Sequence, residues 1–153
     1  MFRHILVPID GTKASEKAAK SALKLAHSLG ARVTAVHVIP KFHAFTYRAQ
    51  LMLSYHATLA EDSPAGYKAA TRIGAGKLLR VVTRAAEAAG VKCDTLEVDG
   101  DRPFAAIVDA ATKKRCDLIV MASHGRSGMS AVLLGSETQK VLTHSAVPVL
   151  VVR

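Results

Sequence analysis

The sequence predicts a doubly wound α/β fold: a five-stranded parallel sheet with helices on both faces. Three observations predict it. Short apolar runs rich in β-branched residues alternate with longer stretches of helical period along the chain. The runs lack the polar alternation of a strand with one wet face, so they read as strands buried on both sides. Glycine and proline fall at most of the junctions. Alternation of this kind gives a parallel sheet with helical crossovers.

The first strand is Ile5 to Ile9, in HILVPID. Gly11 and Thr12 turn the chain into a helix whose apolar stripe is Ala18, Ala22, Leu25, Ala26 and Leu29. Lys13, Lys17, Lys20 and Lys24 lie off that stripe, and Gly30 stops the helix as a C′ glycine. RVTAVHVIP is the second strand, ended by Pro40. From Lys41 to Ala65 there is no clean period, and the expectation is a mobile loop with some helix. A long helix follows from about Gly66 to Ala89, ending at Gly90; Gly74 and Gly76 inside it each cost roughly 1 kcal/mol against Ala. KCDTLEVDG is the third strand. Arg102-Pro103 opens another helix with Pro at the favoured first position and an inner face of Ala106, Ile107, Ala110 and Ala111. DLIVMAS is the fourth strand, Glu137 to His144 a short helix, and VPVLVV the last strand.

The chain has 153 residues, which fits one domain over 1–153. Hydrophobic residues are 50% and charged residues 22%, which excludes a disordered chain. The net charge of +9 favours anionic partners. Aromatics at 5% and the absence of Trp argue against a stacking platform for single strands. Cys93 and Cys116 sit in no CxxC or Cys/His cluster and read as packed thiols in a reducing, cytoplasmic compartment. The N-terminus reaches Pro8 and Asp10 too soon for a signal-peptide core, and no apolar run approaches the ~20 residues of a membrane span. The expectation is a soluble, unexported protein.

Most chemical motifs fail. Gly76-Lys77 ends like a Walker A loop, but Thr71 stands where its first glycine belongs and Leu78 follows the lysine. After Ile9 there is only Asp10-Gly11-Thr12, not the GxGxxG of dinucleotide sites. No histidine pair has zinc-ligand spacing; His4 and His37 read as packed or half-exposed imidazoles. Lys113-Lys114-Arg115 sits at a helix C-terminus, where the dipole favours cations.

One segment stands out, Ala122-Ser123-His124-Gly125-Arg126-Ser127-Gly128 through Gly135-Ser136. Gly125 and Gly128 permit positive φ and close backbone approach. Gly135-Ser136 lies at a helix start, whose free N–H groups and dipole favour an anion. Ser123, Ser127 and Ser136 can donate hydroxyls. The loop leaves the carboxyl end of a central strand, where such sheets bind ligands. From these residues alone a phosphate cradle and a plain turn into a helix are equally good readings.

The spacing Ala122-x2-Gly125-x9-Gly135-Ser136 resembles the nucleotide motif of the universal stress protein family, G-x2-G-x9-G-[S/T]. ILVPIDGTKAS, AVHVI, DLIVMASHGRSG, LLGSETQKVLTHS and VPVLVV extend the likeness over nearly the whole chain. The resemblance implies a Rossmann-like domain that binds ATP or another adenine nucleotide, with Mg²⁺, and regulates partner contacts in a stress response. It implies that Pro8, Ile9 and Asp10 border adenine and ribose, with Asp10 serving a ribose hydroxyl or a metal-bound water. It implies that the Val38 backbone reads the adenine edge. Gly125, Gly135, Ser136 and Glu137 would hold phosphates, with Ser123, His124 and Gly128 in the same loop. At Glu137 the backbone, not the carboxylate, would have to serve. Ala122 departs from the motif glycine, so binding requires that its φ be negative and its methyl point away from the ribose. The resemblance also implies a homodimer through strand 147–153, in keeping with an apolar edge strand that needs cover. Three alternatives stay open: a slow ATPase or phosphoryl- or nucleotidyl-transferase, a nucleotide-free interaction module, and a nucleic-acid binder suggested by charge alone.

Overall fold

The computed structural model describes residues 1–41, 64–124 and 134–153. Its elements are β1 (His4–Pro8), α1 (Lys13–Leu29), β2 (Arg32–Ile39), α2 (Pro64–Ala88), β3 (Cys93–Asp99), α3 (Pro103–Lys113), β4 (Leu118–Ala122), α4 (Ser136–His144) and β5 (Val149–Val152). The sheet runs β3-β2-β1-β4-β5 with every pair parallel. The expected five-stranded, doubly wound α/β architecture is present.

The strand sequences explain the two-sided core. Of the ten residues of β1 (HILVP) and β4 (LIVMA), nine are buried. Alternate residues divide between two clusters, as the pleat requires. Ile5, Val7, Val33, Ala35 and Val120 meet Ala22 and Ala26 of α1 and Leu79 and Ala86 of α2. Leu6, Val36, Ile119 and Met121 meet Ile107, Ala110 and Ala111 of α3 and Val141 of α4.

Helix ends follow local chemistry. Thr12 caps α1, its hydroxyl accepting from the Ser15 N–H at 3.1 Å, and Gly30 ends the helix at φ +63°. Gly90 closes α2 at φ +65°. Arg115 takes the same left-handed role after α3 at φ 54°, unusual for a side chain with a Cβ.

Several details differ from the sequence expectation. The buried stripe of α1 is Ser15, Ala18, Ala19, Ala22, Leu23 and Ala26, with Leu25 and Leu29 half-buried. Helix α2, by contrast, is present as expected and runs unbroken through Gly74 and Gly76. Ala75, Leu79, Val82 and Ala86 bury one face of it, and that packing outweighs the glycine propensity. The last strand is shorter than VPVLVV: Ser145 and Val147 close a small turn through the Ser145 hydroxyl, and the ladder begins at Val149. The loop expected at 41–65 lies almost wholly outside the described residues.

At the amino end of the sheet, the Asp117 carboxylate accepts the backbone N–H groups of Arg3 and His4 at 2.8 and 2.9 Å. Desolvation raises this carboxyl, but those two bonds, a third from its own backbone and the nearby His4 together hold its pKa below the ordinary value. His4 is buried with Nε2 against Thr34 Oγ1 at 2.8 Å; burial, helped by Arg32, lowers its pKa. Both cysteines are free thiols, and burial pushes Cys116 up to about 11. Among the described residues no helix is long and apolar enough to cross a membrane.

Candidate functional site

The site begins with a proline. The Ile9 N–H donates to Val36 O on the β2 side, so its neighbour Pro8 is turned towards β4. Proline has no N–H to offer there. The β1–β4 register accordingly holds only Ile5↔Leu118 and Leu6↔Ile119, whereas β1–β2 continues to Pro8↔Val36 and β4–β5 to Ala122↔Val152. The two central strands part at their carboxyl ends, at the point where the strand order reverses. A cavity of about 720 Å³ opens there.

Asp10 stands at the end of β1 on the cavity wall. Its Oδ1 accepts from the Thr12 N–H at 2.9 Å and the Thr12 hydroxyl at 2.7 Å, so the cap of α1 orients the carboxylate. Gly11 makes the turn between them at φ +82°, and a Cβ there would lie 3.1 Å from a Leu78 methyl of α2.

Across the cavity stands the first turn of α4. Gly135 N–H donates to Ser123 O at 2.7 Å, and Thr138 Oγ1 donates to Ala122 O at 2.9 Å. These bonds pin the helix start to the end of β4. The N–H groups of Ser136, Glu137 and Thr138 have no partner among the described residues, as expected for a helix without a side-chain cap. The Glu137 carboxylate is turned aside. It accepts from the Phe104 N–H at 2.8 Å, capping α3 in place of Arg102, and from Lys140 Nζ at 3.0 Å. Only the Glu137 backbone is left to face an anion, as the sequence reading requires.

Nine of the residues singled out from sequence line this cavity: Pro8, Ile9, Asp10, Val38, Ala122, His124, Gly135, Ser136 and Glu137. Ser123 is buried behind the wall, its hydroxyl against His124 Nδ1 at 3.0 Å. Gly125 and Gly128 lie outside the described residues. Ala122 is the last residue of β4, paired with Val152, and its φ is negative. The first condition for its replacing a glycine is met.

The structure adds wall residues that sequence reading passed over. Tyr67, Thr71, Gly74, Ala75 and Leu78 come from one face of α2, with Lys77 beside them. Their helical spacing was available, but nothing local says that this face meets the ends of β1 and β2. His37 is also on the wall, with Nδ1 on Ile9 O at 2.6 Å.

A sequence model described as the universal stress protein family matches residues 1–153. The chain is 33% identical over 153 residues to universal stress protein MJ0531 of Methanocaldococcus jannaschii, covering all of this chain and 83% of the relative. The solved structure of MJ0577, a universal stress protein of the same organism, superposes with a TM-score of 0.80 at 27% identity, covering 99% of this chain and 96% of that one. A universal stress protein solved in complex with cAMP superposes with a TM-score of 0.70 at 26% identity, covering 99% and 97%.

Proposed function

The chain belongs to the universal stress protein family, and on that premise we propose that residues 1–153 form one adenine-nucleotide-binding regulatory domain, with ATP and Mg²⁺ as its ligand. The observation that carries the proposal is the juxtaposition across the cavity of about 720 Å³ of the Asp10 carboxylate and the uncapped first turn of α4. The volume suits a nucleotide. The N–H groups and dipole of α4 suit its phosphates. A family member at 26% identity is described as holding cAMP, which supports an adenine ligand.

The roles follow the order of strands. Ser136 and Glu137, through their backbone N–H groups, hold phosphate on the β4 side; Gly135, its N–H already on Ser123 O, gives close approach rather than a donor, and His124, Gly125 and Gly128 of the preceding loop complete the cradle with Ser123 behind it. Asp10 serves the ribose at the centre. Pro8, Ile9 and the Val38 backbone border the base. Among the described residues no three His, Cys, Asp or Glu side chains converge on one point. A Mg²⁺ ion would therefore be held by phosphate oxygens and water, with Asp10 taking one of those waters. Regulation by binding is proposed over turnover because Glu137, the carboxylate that accompanies Asp10 among the described wall residues, is committed to Phe104 and Lys140.

Calorimetry with ATP and Mg²⁺ tests the reading, with Gly135→Val as the variant that fills the helix start. Binding that the variant abolishes supports it. Absence of ATP heat, together with absence of nucleotide in the purified protein, overturns it.

The working unit is proposed as a homodimer in the cytoplasm. Strand β5 is a sheet edge, paired only with β4, and Leu150 on it is 43% exposed. A twin strand across a two-fold axis would cover it. A monomeric mass by light scattering at micromolar concentration would refute the dimer.

A further inference from the structure

Three buried polar side chains lie on the described wall of the cavity: Ser15, His37 and Thr138. Ser15 donates to Thr12 O and Thr138 to Ala122 O, so both hydroxyl protons are used. His37 is different. It is 8% exposed, and its Nδ1 lies 2.6 Å from the Ile9 carbonyl. A carbonyl only accepts, so the proton of the neutral ring is on Nδ1 and Nε2 carries a lone pair. Nε2 has no partner among the described residues, yet it is not sealed in protein as His4 Nδ1 is. His37 is among the residues that line the cavity.

The ring is held rigidly. The Ile9 carbonyl is fixed because the Ile9 N–H is bonded to Val36 O at 2.8 Å, so strands β1 and β2 together set the imidazole. Its position along the sheet matters as much. In the order β2-β1-β4, the wall runs from His37 past Asp10 to the α4 turn at Ser136. Phosphate at α4 and ribose at Asp10 leave the base against β2.

We infer that His37 Nε2 accepts a hydrogen bond from the exocyclic amino group of the base and so selects a 6-amino purine nucleotide over a 6-oxo one. This rests on the nucleotide reading of the cavity given above. An amino N–H meets the lone pair as a donor. An oxo oxygen meets it as a second acceptor and leaves both unpaired, which a buried site rejects strongly. The amino group has two hydrogens, so this contact is compatible with one to the Val38 backbone.

The test is calorimetry with ATP and inosine triphosphate, each with Mg²⁺, at about pH 8 where an ordinary imidazole is neutral. Wild-type protein is expected to prefer ATP by ~10-fold or more. His37→Asn keeps an N–H where Nδ1 was but lacks Nε2. It should bring the two affinities to within about threefold, chiefly by weakening ATP. A structural role alone would weaken both nucleotides equally and leave their ratio unchanged. Nitrogen-15 spectra of labelled histidine in the wild-type protein need no variant. The unprotonated Nε2 signal should move on adding ATP and not on adding inosine triphosphate. A wild-type ratio near one, a ratio that survives in His37→Asn, or an Nε2 signal indifferent to ATP overturns the inference and leaves nucleotide binding standing. Failure of wild-type protein to bind either nucleotide overturns both.

Discussion

Thr138→Val tests how the first turn of α4 is held. Thr138 is 3% exposed, and its hydroxyl lies 2.9 Å from Ala122 O. That carbonyl points to the side where β1 has already parted from β4, so no neighbouring strand N–H can replace the lost donor. Valine has nearly the same shape as threonine, so no cavity opens; the change removes one buried hydrogen bond and leaves its acceptor unmet. The expected loss is about 1–2 kcal/mol. For a chain of 153 residues that corresponds to a fall in Tm of about 3–6 °C. Urea unfolding should show a lower midpoint with an unchanged slope. The Gly135 amide, bonded to Ser123 O at 2.7 Å, should exchange faster because the turn it anchors opens more often. A midpoint shift worth less than about 0.3 kcal/mol, with unchanged Gly135 exchange, would show that the hydroxyl does not hold the helix start.

Gly11→Ala should lose about 1–2 kcal/mol or more in urea unfolding, because φ +82° is left-handed and the new methyl would meet Leu78 at 3.1 Å. Arg115→Gly should gain about 0.5–1 kcal/mol in the same assay, since Arg115 sits at φ 54° after α3. Stability should fall with pH in two stages. The folded pKa of His4 is below its ordinary 6.5, so the unfolded chain binds that proton first; its stabilising contribution is complete above 6.5 and declines as pH falls. The depressed Asp117 carboxyl adds a second decline below its ordinary 3.8. Urea midpoints between pH 8 and pH 3 check both stages, and His4→Gln should remove the first while the second persists through the backbone bonds to Asp117.

The order of elements was legible because its signals are local. Apolar runs such as HILVP and LIVMA, the helical stripe around Ala18, Ala22 and Ala26, and Gly30, Gly90 and Pro103 at helix ends each act within a few residues. Much of the site was legible for the same reason. Asp10 and Gly135-Ser136 stand at a strand end and a helix start, positions a sequence pattern can mark. The helix expected over Gly66–Ala89 is also present, and distant packing of Ala75, Leu79 and Val82 offsets what Gly74 and Gly76 cost it.

The residues that turn a strand end into a cavity depend on neighbours far along the chain. His37 reads as one more β-strand residue until Ile9 is beside it; the Glu137 carboxylate has no stated destination until Phe104 takes it. The face of α2 with Thr71 and Leu78 looks like any half-apolar helix until it covers the ends of β1 and β2. Even Pro8 means little in sequence: it opens the site because β4, 110 residues later at Leu118, is the strand it fails to pair. Periodicity and caps act over one or two turns of chain, whereas the identity of a hydrogen-bond partner across a sheet is fixed only when the whole strand order is in place.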